Sequence, residues 1–480
     1  MKRPTKTPWQ RKWRMGILWI AGLIVGIRVL AFVGNMQLPG RLGFGLLLLA
    51  ITLPTHYWWA WIDEQLSRPA SPSTGQRDSR TANSPSSDGT RQLPQLQLPR
   101  RRRRWRILMA IYAGAMLLPV VVMVCRIHWY DRLPIVLLMG AMVWHLSMAM
   151  VGAVAFVIMV IAMIVRGIRH QIRRVRSVTA NQSQAEAFEA DHDATPFPRR
   201  SFLTGALAAA PMVVAASSVI AGVRQQGQFQ IRHMQMVVPR LPARLDGLTI
   251  THLTDFHVGR YFQPKYLPHV VDVVNRLNSD LIAITGDIVD HSIEFLPAAC
   301  DAFEQMESRY GRYVIVGNHD LIDSPDEAMN VLRQREPNFL ADEHVQIDIG
   351  GETVQVGGLF WMRFNHTGPP LTFAEHTQRM LTGADPGVFT LALAHHPHAF
   401  DALAAEGVDV VLAGHTHGGQ VMLTPQGSAR PIGGGSIFRY IWGEYTRGRS
   451  IMNVSAGVGN WFPIRINAPA EIVQIRLIAT

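Results

Sequence analysis

"RYVIVGNHD", residues 312–320, decides how the back half of the chain is read. An apolar, β-branched run meets a glycine and then three polar side chains, Asn318, His319 and Asp320. A short run of this kind, bounded by a turn signal, predicts a buried strand. The same pattern recurs in "LTITHLTDFH" (248–257), "LIAITGD" (281–287), "LALAHHP" (391–397) and "VVLAGHTH" (410–417). Helix-like stretches separate the first three strands: "PKYLPHVVDVVNRLN" (264–278) and a second near 294–308. That β-α-β-α-β order predicts an α/β domain beginning near residue 230. "VQIDIGGETVQVGGL" (345–359) predicts a hairpin, and "SIMNVSAG" (450–457) and "EIVQIRLIA" (471–479) predict closing strands.

The polar residues fall where such a domain places a site. Ligands of open α/β sheets collect at the carboxyl ends of strands. Here the strand ends carry Asp255 and His257, then Asp287, then Asn318, His319 and Asp320, then His395 and His396, then His415 and His417. Five strand ends presenting Asp, Asn or His imply one shared site. Mixed carboxylate and imidazole donors suit Mn, Fe, Zn or Ni. Asp-x-His and His-x-His on extended backbone put both side chains on one side. Glycines before Asp287, Asn318 and His415 allow tight turns and close backbone approach. There are more donors than one catalytic ion takes. They match two divalent or trivalent ions bridged by a carboxylate, a pair that clamps the oxygens of a phosphoryl displacement.

In this order, D-x-H, GD, GNHD, H-x-P and GHTH resemble the calcineurin-like metallophosphoesterase superfamily over roughly residues 240–480. "GHTHGGQ" (414–420) with "VSAGVGNWFPIRINAPAEIVQI" (454–475) is similar to a bacterial subgroup with N-terminal membrane or twin-arginine segments. The resemblance implies a four-layer α/β/β/α sandwich with a binuclear centre at its edge. It implies that Asp255, His257, Asp287 and His417 hold one metal and that Asp287, Asn318, His395 and His415 hold the other, with Asp287 bridging. It implies that Asn318 and His319 contact the phosphate, and that His319 protonates the leaving group, oriented by Asp320. His395 rather than His396 is carried over because the family sets this ligand two residues before a proline, here Pro397. Arg260 follows the first motif at a distance from which it could reach a substrate phosphate; a solvated arginine is the equal alternative. The family's "RGLG"-type loop reads Ala456-Gly457-Val458-Gly459 here, without its arginine.

The front half differs in kind. The chain has 46 Lys+Arg against 35 Asp+Glu, and residues 1–201 hold 27 and 9 of them. The front is therefore +18 and the remainder −7, so no basic nucleic-acid groove is expected in the back half. Two cysteines make no disulfide framework. Apolar runs near 15–33, 42–62, 107–125 and 135–165 are each about long enough to cross a bilayer. Lys and Arg concentrate in residues 1–15, 63–106 and 166–201, which places those segments in the cytoplasm. The Ser/Pro/Arg-rich stretch 63–106 cannot bury enough apolar surface to fold.

The expected organisation is a tail with two transmembrane helices (1–62), a basic disordered linker (63–106), two further transmembrane helices (107–165), a basic cytoplasmic segment (166–201), a fifth apolar segment (202–223) and the α/β domain (224–480). The fifth segment opens on "RRSFL" (199–203). It resembles a twin-arginine signal, which would bring in the export machinery as a partner, and reads equally as an ordinary transmembrane helix. Either way the α/β domain lies outside the cytoplasmic membrane. The expected function is a membrane-tethered phosphoesterase acting on phosphodiester or related bonds of an envelope or lipid substrate. Its rivals are a membrane sensor or assembly protein whose outer domain binds a phosphorylated ligand, and a cytoplasm-facing lipid-precursor diphosphatase.

Overall fold

The computed structural model describes residues 198–361, 371–426, 432–433 and 438–480, with isolated positions between 107 and 168. The expectations for residues 1–106 lie outside the described residues, and those for the two later apolar runs are touched only at isolated positions. The chain divides into two compact units, Met1–Ser217 and Ser218–Thr480. Helix α1 (Pro198–Gln225) contains the "RRSFL" segment, with side chains described from Met212 onward. Among the described residues no helix is long and apolar enough to cross a membrane.

The second unit is built on two sheets. Strands β1 (Gln230–Val238), β2 (Thr249–Leu253), β3 (Leu281–Thr285), β4 (Arg312–Ile315) and β11 (Glu471–Ala479) form the first, in the order β1-β11-β2-β3-β4. Strands β5 (Glu343–Ile349), β6 (Glu352–Gly358), β7 (Phe389–Leu393), β8 (Val410–Ala413), β9 (Gly443–Arg447) and β10 (Ser450–Val454) form the second, in the order β5-β6-β7-β8-β10-β9. β2, β3 and β4 run parallel, as do β6, β7, β8 and β10. The expected hairpin is the antiparallel β5–β6 pair.

Alternation along the strands explains their unbroken apolar character. Leu281 and Ala283 of β3 face a core shared with Val354, Leu391, Val410 and Leu412 of the other sheet. Ile282 and Ile284 face helices α2 (Leu267–Leu277), α3 (Leu296–Glu304) and α4 (Pro325–Arg335). On the second sheet, Val411, Ala413 and Val454 pack outward against Phe400 and Leu403 of helix α6 (Phe400–Ala405) and Met380 of helix α5 (Phe373–Met380). Strands buried on both faces need apolar residues at every position. The layers are therefore helix, sheet, sheet, helix. In α2 the apolar positions Leu267, Val270, Val271 and Val274 fall on one stripe, and Asn278 (φ 45) ends the helix in a left-handed cap. Because the parallel strands share a direction, their carboxyl ends gather at one edge of the sandwich, and the polar motifs follow those ends.

Candidate metal centre

Two groups of donors converge at that edge: Asp255, His257 and His417, and Asp287, His395 and His415. His257 Nε2 and His417 Nε2 lie 2.9 Å apart, and His417 Nε2 is 3.2 Å from Asp255 Oδ1. In the second group His395 Nε2 lies 3.2 Å from His415 Nδ1 and 3.2 Å from Asn318 Oδ1. Asp287 joins the groups: its Oδ2 is 3.4 Å from His257 Nε2 and 3.2 Å from His395 Nε2.

This donor set fits metal ions. Asp255 and Asp287 are buried, yet among the described residues neither forms an ion pair with Lys or Arg. Their partners are imidazoles, the Thr254 hydroxyl and the amides of His415 and His319, none of which carries a fixed positive charge, so the buried carboxylates call for a cation. The tautomers agree. His395 Nδ1 donates to the Thr285 carbonyl at 2.8 Å, which makes Nε2 the nitrogen turned toward Asp287 and Asn318. His257 Nδ1 sits 3.5 Å from Asp290 Oδ1. Electrostatics point the same way. Burial lowers the pKa of His395, but the charge and hydrogen bond of Asp287, with the Asp255 charge and the Thr285 carbonyl, together outweigh it and lift the ring to about 9. Burial lowers His415 to about 4 and His417 to about 3, so both are neutral and able to ligate near pH 7. Carboxylates strong enough to draw a proton onto a buried imidazole also favour a bound cation.

The backbone that assembles the donors is not the extended one expected of Asp-x-His and His-x-His. Asp255 (φ 52), His257 (φ 46), Asp287 (φ 51), His415 (φ 71) and His417 (φ 51) all lie in the left-handed region. L-residues seldom adopt it, and it persists where the surroundings over-determine it. Here amides lace the strand ends together: Asp255 N donates to Gly286 O at 3.0 Å, His257 N to Asp287 O at 3.0 Å and Gly459 N to Asp255 O at 2.9 Å. Two glycines are set by close approach rather than by flexibility. A Cβ on Gly317 would overlap Asp287 Oδ1, and one on Gly414 would overlap Asp255 Oδ2.

His319 lies on the accessible side, its ring edge-on to His257 with centroids 4.5 Å apart. Its Nδ1 contacts the Asp290 carbonyl and lies 3.5 Å from Asp290 Oδ1. Burial lowers the His319 pKa, but the carboxylates of Asp287 and Asp290 outweigh it and raise the imidazole to about 9. The residue set against His319 is thus Asp290, not Asp320. Asp320 accepts from the Gly317 amide at 2.8 Å and the Val289 amide at 2.9 Å. Burial and the neighbouring Asp287 charge push its carboxyl up to about 6. Asp290 keeps its charge: burial raises its pKa, and hydrogen bonds from His257, His291 and His319 hold it well below the carboxylate range. The available signal was the second aspartate of "GDIVD" (286–290).

Further residues come from loops. Arg465 is buried beneath His417 and donates to Ala456 O (2.8 Å), Gly459 O (2.6 Å) and His417 O (3.2 Å), which fixes the loop that lacks its own arginine. His396 stacks on Trp361 at 5.1 Å with an interplanar angle of 2°, and Phe438 packs edge-on to His415 at 5.7 Å. These rings form one wall of the site. His252 is a structural group: its Nε2 lies 2.9 Å from Thr285 Oγ1 and its Nδ1 3.0 Å from Asn453 Nδ2. Arg260 is half-buried in the turn bridged by Val258 and Phe262.

Residues 248–419 match the family model described as calcineurin-like phosphoesterase. An uncharacterized metallophosphoesterase of Helicobacter pylori (strain J99) is 29% identical over 241 residues, covering 48% of this chain and 60% of that one. The uncharacterized metallophosphoesterase YkuE of Bacillus subtilis is 26% identical over 297 residues, covering 59% of this chain and 98% of that one. A Danio rerio protein named transmembrane protein with metallophosphoesterase domain is 27% identical over 260 residues, covering 51% and 56%. The match spans about 60% of the Helicobacter relative's length. The family model and these names support the superfamily resemblance drawn from the motifs.

Proposed function

We propose that this chain is a membrane-tethered phosphoesterase that uses two metal ions, with its catalytic unit on the extracytoplasmic side. The observation that carries the reading is the position of Asp287 Oδ2, 3.4 Å from His257 Nε2 and 3.2 Å from His395 Nε2, one carboxylate shared between two donor groups. Asp255, His257, Asp287 and His417 would hold one ion, and Asp287, Asn318, His395 and His415 the other. When bound, such a pair polarises a phosphoryl oxygen and makes water a nucleophile at neutral pH. The protein supplies the rest. Asn318, His319 and His415 are the partly exposed members of the site, so the phosphoester enters on their side. His319 is protonated near pH 7, with Nδ1 held by Asp290 and Nε2 left to donate to the departing oxygen. Asp290 is a positioning residue, and Asp320 braces the Gly317 turn that carries Asn318 and His319.

The substrate proposed is a phosphodiester or related ester of an envelope component or lipid. Its support is the apolar front half, and relatives from Danio rerio and Bos taurus that are named as transmembrane proteins. The twin-arginine reading of residues 199–203 is part of this proposal. The full chain in lipid nanodiscs, given Mn, Fe, Zn or Ni, is expected to release nitrophenolate from bis(4-nitrophenyl) phosphate. Chelation should stop turnover and metal should restore it; silence with every metal overturns the catalytic reading. Protease added to intact cells is expected to digest residues 224–480. Protection of that unit until the membrane is opened would move the site to the cytoplasm.

A further inference from the structure

Four large apolar side chains stand in solvent on adjoining loops beside the centre: Leu423 (62% exposed), Ile432 (54%), Trp461 (45%) and Ile466 (43%). Backbone bonds make them one surface. Met422 N donates to Ile466 O at 3.0 Å, Leu423 N to Ile432 O at 2.8 Å and Ile466 N to Gln420 O at 2.8 Å. The same loops line the site: Trp461 faces His417 with ring centroids 6.4 Å apart, and Gln420 Nε2 donates to Phe462 O at 2.7 Å. A soluble domain scatters such residues; a contiguous group marks an interface.

The chain itself indicates the occupant. The last turn of α1 is fastened to this surface, with Gln225 Nε2 donating to Arg465 O at 3.2 Å and Arg465 N to Gln225 Oε1 at 3.0 Å. The preceding turns expose Ile220 (54%) and Val223 (43%), so the apolar surface continues from the loops onto the helix. About 200 residues of chain, rich in apolar runs, enter the unit through this helix. Charge agrees. Arg224 is exposed in the last turn of α1, and neither 418–443 nor 457–470 contains an acidic residue, although the unit as a whole is acidic. A cation beside exposed Trp, Leu and Ile, with no carboxylate to repel phosphate headgroups, is the composition of a membrane–water interface.

We propose that Leu423, Ile432, Trp461 and Ile466 dock the catalytic unit onto the bilayer, so that the metal centre works against the lipid surface on phosphoesters presented there. This rests on the phosphoesterase reading for its substrate class and on the tether for its geometry. The surface binds acyl chains and interfacial headgroups.

The test uses the full chain with Cys125→Ser and Cys300→Ala, carrying one environment-sensitive fluorophore on Leu423→Cys, Trp461→Cys, Ile220→Cys or Glu352→Cys. Glu352 begins β6, at the end of the sandwich opposite the site. Each protein is reconstituted in vesicles of phosphatidylglycerol and phosphatidylcholine, with or without brominated acyl chains. A cooperative thermal melt matching that of the unlabelled parent shows that each labelled protein is folded. Brominated lipid is expected to quench positions 423 and 461 at least twofold and to leave 352 unchanged. Quenching at 220 but at neither 423 nor 461 overturns docking while the tether stands. No quenching at 220, 423 or 461 removes both. Disulfide-linked copies formed through Leu423→Cys, without quenching, would assign the surface to a second copy and also overturn the proposal. Quenching is read without any reaction, so loss of the phosphoesterase reading would appear separately, as absent turnover.

Discussion

Asp287→Ala is expected to abolish hydrolysis of bis(4-nitrophenyl) phosphate in metal-supplemented membranes, by roughly 10³-fold or more, which is about 4 kcal/mol of transition-state stabilisation. The size follows from position. Asp287 Oδ2 is the atom between the two donor groups, and Asp287 Oδ1 accepts the His319 amide at 2.8 Å. On the proposed two-metal reading, removing the side chain would take one donor from each metal position, and it frees the His319 backbone amide. It also removes a charge that holds His319 and His395 protonated in the metal-free protein. Metal content by mass spectrometry should fall with activity. Asp287→Asn is the informative companion: it keeps the volume and an acceptor oxygen but loses the charge. Asparagine with near-normal folding, low metal and no turnover would place the effect in cation binding. Undiminished turnover by Asp287→Ala would sink the assignment of the centre.

The residues that gather at the site were legible because the strands that carry them are buried on both faces. Ile282 and Ile284 face one core and Leu281 and Ala283 the other, so the acidic residue of this strand's motif, Asp287, falls past the strand end. A motif such as "LIAITGD" therefore announces both a strand and a donor. What pairs with what across space was not legible. Asp320 follows His319 directly and was assigned to it, yet it turns inward to take the amides of Gly317 and Val289. Asp290, in another loop, is the group against the imidazole. Adjacent residues diverge in direction, and contacts between loops depend on how strands register, as β3 does on β2 and β4.

The same limit applies to Arg465 and Trp361. Each is ordinary in sequence and acquires its place only when the loop folds over His417 or the second donor group. Left-handed φ at Asp255, His257, Asp287, His415 and His417 was also hidden, because such conformations are read from glycine, and these residues are not glycine. Composition does not say which sheet takes the last two strands. β10 extends the second sheet beside β8, whereas β11 enters the first between β1 and β2.

His319→Gln should separate chemistry from metal binding. Its Nδ1 is held by Asp290, and in the proposed role its Nε2 gives the proton to the leaving oxygen. Losing that proton should cost on the order of 10² to 10⁴ in kcat for an alkyl phosphodiester, whose leaving alkoxide needs protonation. The loss should be much smaller for bis(4-nitrophenyl) phosphate, whose phenolate departs without help. Metal content should stay near normal, since Nε2 of His319 is not assigned as a ligand. Asp290→Asn tests the same step from behind. Asp290 contributes to raising the His319 pKa, so its neutralisation lowers that pKa. Activity that needs protonated His319 falls as pH rises through the pKa, so the alkaline limb of the pH–rate profile should move to lower pH. Equal losses on both esters, with metal lost as well, would make His319 a structural support of the centre. A limb that does not move in Asp290→Asn would detach Asp290 from the proton donor, and His319 would then act without it.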